Sequence, residues 1–344
     1  MVSQFSPRGW RAAAALALVL ALGAALAGTA QAKLAHTRHG TIAYTPPRHR
    51  HRTLAEGLGE LTPEEELQQY REEEEAHGPL TKGKGPVMKT DTNYLIVWQP
   101  RGAKFPAHYV QRIDEYLRNI AAYPGGTATE RTNTESELAK YGVKKDYYGG
   151  LIVDRRPFPE SGCGEGPVCM TDPQLQHELE RVVRENGLPA DLTRAYNLLL
   201  PVGVHVCFEE AGETACSVYG ETGEFCEYHS AVEGSGGRDL LYSVEPFVFP
   251  SGCAFTGWLP QGEAASGTLD GLSHEHSETT TDPLPPSGWI GSEEWEIGDI
   301  CSYNYGTPIG ETANHEKFGQ LINGQIYGTQ MEWSNKAGTC VQHA

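Results

Sequence analysis

The segment Leu272-Ser-His-Glu-His-Ser-Glu-Thr-Thr-Thr-Asp-Pro283 concentrates two histidines, two glutamates and one aspartate just before a proline. On a helix, His274 and Glu278 are four residues apart and share one face. This spacing allows a helix to hold a metal ion, and Glu275 is placed to act as the general base that activates water. The segment therefore predicts a zinc site of the pattern His-Glu-x-x-Glu.

A third zinc ligand must come from outside His274 and Glu278. Asp282 lies on nearly the same helix face as His274, but at the very end of the helix. Glu296 and Asp299 lie on a segment just downstream that can fold back toward the helix. A histidine and carboxylates with one open position form a workable hydrolytic zinc site, so we expect Glu296 or Asp299 to complete it.

Two other interpretations of the same segment stay open at this point. If the segment is a strand, His274 and His276 point to one face of a sheet. If it is a polar helix with a structural role, its acids and histidines are simply exposed. In a variant of that structural interpretation, Glu278, Asp282 and Asp299 bind calcium.

The site helix is predicted to begin at Ser266 or Thr268, either of which can cap it, and to run to Asp282. Its serine and threonine content is poor for an isolated helix, so tertiary contacts or a metal must stabilise it. Another histidine, His229, follows Cys226 closely. It could line a site, but we favour an ordinary surface or hydrogen-bonded residue, because its intrinsic pKa alone does not mark it as functional.

The chain before this segment alternates strand and helix patterns. Apolar runs predict strands, apolar residues at helical spacing predict helices, and Asp172 is the expected cap of the second helix. Pro201 inside the last strand indicates an edge position or a break. From Cys207 to Cys253 neither period persists, which indicates loops and short strands held by disulfides. The predicted elements are the strands Tyr94–Trp98, Tyr147–Asp154 and Leu198–Phe208 and the helices Pro106–Tyr123 and Asp172–Asn186.

This order predicts an α/β to α+β fold, a layered sheet with packed helices, in a single domain over residues 85–344. Residues 1–32 have the basic start, short apolar run and small-residue ending of a secretory signal peptide. Residues 33–84 are expected to form a flexible charged leader with one solvated helix beginning at Leu61. The alternatives for the leader are a propeptide or a histidine tract that collects metal.

Eight cysteines in an exported chain predict disulfide bonds. Cys163–Cys169 and Cys207–Cys216 are plausible local bridges, and the pairing of the other four is left open. No later segment is apolar for long enough to span a membrane, so we expect a secreted, extracellular protein. The formal charge of −18 argues against nucleic acid and anionic lipid as partners. The sequence also lacks a nucleophile elbow, a phosphate-binding loop and a dinucleotide fingerprint.

Several motifs together resemble the EXORDIUM-like (phosphate-induced protein) family of secreted proteins. They are Ser273-His-Glu-x-x-Glu with Thr281-Asp-Pro283, Trp289, Glu296-x-x-Asp-x-Cys301, Gly85-Pro-Val-Met88, Cys226-x-Tyr-His-Ser230, Tyr327-x-x-Gln-x-x-Trp-Ser-Asn335 and Cys340. The resemblance implies export, association with cell walls or the extracellular matrix, and a zincin-like helix, but no established reaction. The chain departs from the family at His276-Ser277, where an apolar pair is usual.

Two functions follow as expectations. The first is a secreted zinc-dependent hydrolase of peptidase type, with Glu275 as its catalytic residue and His274, Glu278, Glu296 and Asp299 as candidate ligands. The second is a non-catalytic protein with a structural metal or calcium site. Its partners would be extracellular proteins or cell-wall components.

Overall fold

A mixed seven-stranded sheet lies at the centre of the computed structural model. The structure describes residues 33–47, 76–122, 134–164, 168–218, 222–234, 238–249, 251–254 and 256–343. The predicted signal peptide and the acidic helix predicted from Leu61 lie outside these residues.

The elements follow the chain in an order that returns repeatedly to the central sheet. The strands are β1 Lys33–Thr37, β2 Gly40–Thr45, β3 Thr81–Lys82, β4 Thr90–Trp98, β5 Lys145–Asp154, β6 Val168–Thr171, β7 Ala195–Leu199, β8 Val204–Glu210, β9 Glu213–Cys216, β10 Glu227–Gly234, β11 Arg238–Glu245 and β12 Trp289–Ile290. The α-helices are α1 Tyr109–Ala122, α2 Glu135–Tyr141, α3 Asp172–Glu185 and α4 Glu263–Thr281. Two 3₁₀ turns, Ser292–Glu294 and Asp299–Cys301, precede six short strands: β13 Gly310–Glu311, β14 Lys317–Phe318, β15 Gln320–Ile322, β16 Gln325–Tyr327, β17 Glu332–Ser334 and β18 Thr339–Val341.

The central sheet has the strand order β1-β2-β10-β11-β7-β4-β5. Its β11, β7, β4 and β5 are parallel, whereas β1, β2 and β10 pair antiparallel. Both faces of β4 are buried: Leu95 and Val97 join the core under α1 and α4, and Ile96 and Trp98 join the core under α3. This arrangement confirms the predicted α/β layering, with helices on a mainly parallel sheet.

The predicted strand Leu198–Phe208 divides at Pro201. Its first part belongs to β7 of the central sheet, and its second part is β8 in a separate sheet with β6 and β9. A proline has no backbone donor for the ladder, so the break was one of the two outcomes expected there. The helix that follows β6 is capped by Thr171 rather than by Asp172, because Thr171 and Gln174 form a capping box.

Two sequence predictions are wrong about strand content. The region from Cys207 to Cys253 contains β10 and β11, two eight-residue strands inside the central sheet. The predicted leader 33–84 contains β1 and β2, which extend the sheet at β10, and β3, which pairs with β12. Tertiary pairing stabilises these segments where their composition gave no clear periodic signal.

All eight cysteines form disulfides: Cys163–Cys169, Cys207–Cys216, Cys226–Cys253 and Cys301–Cys340. The first two confirm the predicted local bridges, and the other two resolve the pairing that the sequence left open. Disulfides are typical of oxidising compartments, with which the predicted export is consistent. Among the described residues, no helix is both long and apolar enough to cross a membrane.

Candidate metal centre

Helix α4 carries the His-Glu-x-x-Glu segment, as the spacing predicted. It begins at Glu263, before both expected caps, Ser266 and Thr268, and the strand interpretation of the segment is wrong. From Ala265 to Thr281 every residue is buried, although most are polar. The hydroxyl groups of Ser277 and Thr280 donate to the backbone oxygens of Ser273 and His276, each at 2.9 Å. Such internal bonds reduce the cost of burying a polar helix.

Three predicted ligands meet at the centre of this helix. Nε2 of His274 lies 3.0 Å from Oε1 of Glu278 and 3.3 Å from Oδ1 of Asp299. The exposed fraction of these side chains is 1%, 1% and 5%, respectively. The helix supplies the first two through its four-residue repeat, and the 3₁₀ turn supplies Asp299. The downstream segment therefore folds back onto the helix, as expected.

Gly298 allows that segment to approach the helix. A Cβ at this position would lie 2.9 Å from Nδ1 of His274 and 3.0 Å from Oε1 of Glu278. The backbone N–H of Asp299 donates to Oε1 of Glu278 at 2.9 Å, and Oδ2 of Asp299 accepts from the backbone N–H of Glu296 at 2.9 Å. The missing side chain and these two bonds together fix where Asp299 points.

The predicted base, Glu275, pairs with His229 of β10. Oε2 of Glu275 lies 2.8 Å from Nδ1 of His229, and both side chains are buried. Oε2 of Glu296 lies 3.7 Å from Nε2 of the same ring. Glu296 therefore faces His229 and is not in the group formed by His274, Glu278 and Asp299. His229 lies between the two glutamates that flank this group, so it is a buried, hydrogen-bonded residue that lines the site, the alternative that the sequence left open.

Thr45, the last residue of β2, lies across the centre. Its hydroxyl is 3.0 Å from Nε2 of His274 and 3.4 Å from Oε1 of Glu275. The strand is held there by pairing with β10 and by Tyr303, whose hydroxyl donates to the backbone oxygen of Pro46 at 2.8 Å. A residue from the predicted leader is thus part of the site and closes it from one side.

Buried negative charge dominates the electrostatics of the centre. The ion-pair partners found for Glu275, Glu278, Glu296 and Asp299 within the described residues are histidines. Burial raises the pKa of Glu278 to about 7, the charge of Asp299 adds to the rise, and His274 opposes it. Burial also raises the pKa of Glu275 and that of Glu296 well above the usual glutamate value.

The two histidines respond differently to the same surroundings. Burial lowers the pKa of His229, and neighbouring acids such as Glu278 only partly offset this effect. For His274, burial also acts to lower the pKa, but the charge of Glu278 and the contact with Asp299 outweigh it and raise the pKa. The acids therefore stabilise positive charge at the position of the His274 ring.

These residues fit a bound zinc ion. With zinc–ligand bonds of about 2.0–2.1 Å, the ligand atoms of a tetrahedral site lie about 3.3 Å apart, which matches the separations around Nε2 of His274. Beside this group, both oxygens of Glu296, Nε2 of His229 and Nδ1 of His274 are buried without a hydrogen-bond partner within the described residues. Unpaired buried polar atoms are costly, and a cation among these acids would reduce that cost.

Asp282, the remaining candidate ligand, has a different role in the structure. Asp282 closes the helix end, where its Oδ1 accepts from the backbone N–H of Ser287 at 3.1 Å and of Gly288 at 2.6 Å. The calcium interpretation required Asp282 together with Glu278 and Asp299. Instead, a histidine nitrogen lies between Glu278 and Asp299, and calcium prefers sites built entirely from oxygen.

Two contributors to the centre, Thr45 and Gly298, were not predicted from the sequence. A signal existed for Gly298, because a glycine directly before a candidate ligand indicates a close backbone approach. For Thr45 there was none, because its contact depends on a strand pairing that spans most of the chain.

Comparisons with known proteins leave the centre to be interpreted from its own chemistry. No protein-family model, no curated protein and no solved structure matches the chain. The resemblance to the EXORDIUM-like family therefore stays a prediction.

Proposed function

We propose that this protein is a secreted zinc-dependent hydrolase of the peptidase type, with zinc held by His274, Glu278 and Asp299. The observation that carries the proposal is the contact of Nε2 of His274 with both carboxylates, at 3.0 and 3.3 Å. One histidine and two carboxylates supply three protein ligands, which is typical of a catalytic zinc site with an open position.

Glu275 is the proposed general base. It is the residue next to His274 in the chain, and its Oε1 lies 3.4 Å from the Thr45 hydroxyl that also contacts His274. Zinc supplies Lewis acidity, which polarises a carbonyl group and makes water a stronger acid. Glu275 accepts the proton of the attacking water, and a raised pKa suits a carboxylate to this task near neutral pH.

His229 is the proposed positioning residue for Glu275. Its Nδ1 holds Oε2 of Glu275 at 2.8 Å, which leaves Oε1 directed toward the ligands. Glu296 lies on the other side of the ring, 3.7 Å from Nε2 and beyond hydrogen-bond length. The hydrogen bond from His229 favours one orientation of Glu275, and a fixed general base is more effective than a mobile one.

A zincin-like fold and an extracellular, cell-wall-associated setting belong to the same proposal. The support is a mixed sheet next to the motif helix, with the antiparallel strand β10 contributing His229. The EXORDIUM-like resemblance and the four disulfides support export. Because Thr45 lies across the centre, it is one of the groups that a substrate must displace to reach His274.

The test combines metal content with peptide hydrolysis. The purified protein, loaded with Zn²⁺, is incubated with a mixed peptide library, and new termini are detected by mass spectrometry. Glu275→Gln is expected to keep its zinc and to lose activity by about 10²–10⁴-fold, the usual contribution of a general base. Glu278→Gln is expected to lose both metal and activity. Glu263→Gln, an exposed position at the start of the same helix, is the matched control.

A second candidate function is a non-catalytic extracellular protein that uses the same zinc ion for stability. It is favoured by the burial of His274, Glu278 and Asp299 and by the position of Thr45 over them. In this case Glu275→Gln leaves metal content unchanged and no library peptide is cleaved by the wild-type protein. Cleavage that depends on Glu275 would exclude this candidate.

A further inference from the structure

A second cluster of metal-ligating side chains lies on the other side of helix α4, around His276. Nδ1 of His276 is 3.7 Å from Oδ2 of Asp91, and Nε2 is 3.5 Å from Oε1 of Glu135 and 3.6 Å from Oδ1 of Asp146. The exposed fraction of the four side chains ranges from 0% to 8%. These residues are separate from the centre at His274.

Four elements of the fold converge on this cluster. Asp91 and Asp146 are paired neighbours on the parallel strands β4 and β5, so their side chains lie side by side on the sheet. Glu135 is the first residue of α2, and His276 comes from the middle of α4. The cluster therefore joins the helix that carries the first centre to two strands and a second helix.

The two separations at Nε2 of His276, 3.5 and 3.6 Å, fit a shared ion better than direct hydrogen bonds. Hydrogen bonds from nitrogen to oxygen are usually about 2.7–3.2 Å long, shorter than the separations around His276. With metal–ligand bonds of about 2.0–2.2 Å, neighbouring ligands of a tetrahedral ion lie about 3.3–3.6 Å apart. Both ring nitrogens of His276, Oδ1 of Asp91 and Oδ1 of Asp146 are buried without a hydrogen-bond partner in the described part of the chain.

The charge of the cluster also favours a bound metal ion. Three carboxylates face one imidazole in a region from which water is excluded, and the neighbouring Asn93 offers Asp91 a neutral donor only. A protonated His276 offsets one negative charge at most. A divalent cation compensates two and leaves the imidazole free to bind it as a neutral ligand.

We propose that Asp91, Glu135, Asp146 and His276 form a second metal site that binds a divalent transition-metal ion of the zinc type. Nε2 of His276 is the ligand atom, because it faces both Glu135 and Asp146. Asp91 joins through its unpaired Oδ1, because Asp91, Asp146 and His276 each offer a ligand atom within 4.8 Å of the others. Four protein ligands leave no open position, and closed four-coordinate sites are structural. The ion thus links the His276 side of α4 to strands β4 and β5, and it plays no part in hydrolysis.

The proposal is tested by counting metal ions in variants of the full chain. Protein freed of metal with a chelator, reloaded with Zn²⁺ and desalted is measured by elemental mass spectrometry. We expect about two equivalents of Zn²⁺ in the wild-type protein and about one in Asp146→Asn or His276→Gln. Glu278→Gln, which changes only the first centre, is also expected to keep about one equivalent. The double variant Glu278→Gln/Asp146→Asn is expected to keep none.

The outcomes separate this site from the proposed hydrolytic centre. Wild-type metal content in Asp146→Asn, or no metal in Glu278→Gln, overturns the second site, and the acids and His276 then only share protons. If Asp146→Asn does not fold, the Glu278→Gln protein decides alone, because its second cluster is intact. A failure of the first centre appears differently, as a wild-type protein with about one equivalent, which Asp146→Asn and His276→Gln remove and Glu278→Gln does not.

Discussion

The two sides of helix α4 differ in what surrounds their histidines. Around His274, contacts of 3.0–3.3 Å combine with a neighbouring base, Glu275, and a covering hydroxyl, Thr45. Around His276, separations of 3.5–3.7 Å involve only carboxylates. The two histidines are two residues apart in one helix, so the helix alone does not determine their chemistry. What packs against each side is the reason that we propose a catalytic ion on one side and a structural ion on the other.

Metal removal is expected to have the largest effect on the free energy of unfolding, and it tests both sides of the helix at once. When free metal exceeds its dissociation constant about 1,000-fold, each bound ion stabilises the folded state by about 4 kcal/mol. Chelation should therefore lower the free energy of unfolding in two steps if both sides bind ions of different affinity. The measurement is denaturant-induced unfolding at a series of buffered free-zinc concentrations, with the disulfides kept intact. Superimposable unfolding curves with and without chelator would contradict both sites.

The next prediction concerns Asp270, one turn before His274 on the same side of the helix. Its Oδ2 accepts from the hydroxyl of Tyr305, its Oδ1 accepts from the backbone N–H of Gln330 at 2.8 Å, and burial raises its pKa to about 6. The folded state thus holds the proton more tightly than the unfolded state does. Stability contributed by the neutral form is present below pH of about 4 and is lost as pH rises through about 6, at a cost of about 3 kcal/mol.

Asp270→Asn removes this titratable group, so the stability of the variant should no longer depend on the ionisation of residue 270 on the His274 side of the helix. In metal-free protein, its stability relative to wild type should increase by about 3 kcal/mol between pH 4 and pH 7. Urea unfolding at both pH values measures the difference, with the exposed Glu263→Gln as control. A difference that does not change with pH would show that Asp270 is ionised at both values.

A smaller and more selective effect is expected from Gly298→Ala. The added Cβ would lie within 3.0 Å of His274 and Glu278, so the Asp299 segment must shift at a cost of about 1–3 kcal/mol. Zinc affinity at the His274 side should fall by about 10-fold or more, while the His276 side keeps its ion. Gly164→Ala is the matched control, since a Cβ there meets nothing within 4 Å. Equal loss of both ions would contradict the independence of the two sides.

How far the sequence predicts this molecule depends on the range of the interactions. Local spacing was sufficient for α4 with His274 and Glu278, and for β4 and β5, because helical and apolar periods are short-range signals. The nearby acidic segment was sufficient to predict Asp299 as a candidate third ligand. The covering position of Thr45 follows from strand pairing between residues nearly two hundred positions apart, which no local pattern encodes.

The role of His276 was equally hidden. In the sequence it interrupts a motif in which the resembled family has an apolar pair, and its partners Asp91 and Asp146 lie on strands far from it in the chain. Buried acids on strands look like ordinary polar positions until the sheet register brings them together. Burial and unsatisfied atoms, rather than motif spacing, identify the second cluster.

The most direct measurement is anomalous diffraction at the zinc absorption edge, from crystals of the zinc-loaded wild-type protein. We predict one anomalous peak in contact with His274, Glu278 and Asp299, and a second in contact with His276, Asp91, Glu135 and Asp146. If the side chains occupy the same positions and no peak lies beside His274, the proposed zinc centre does not exist in this protein.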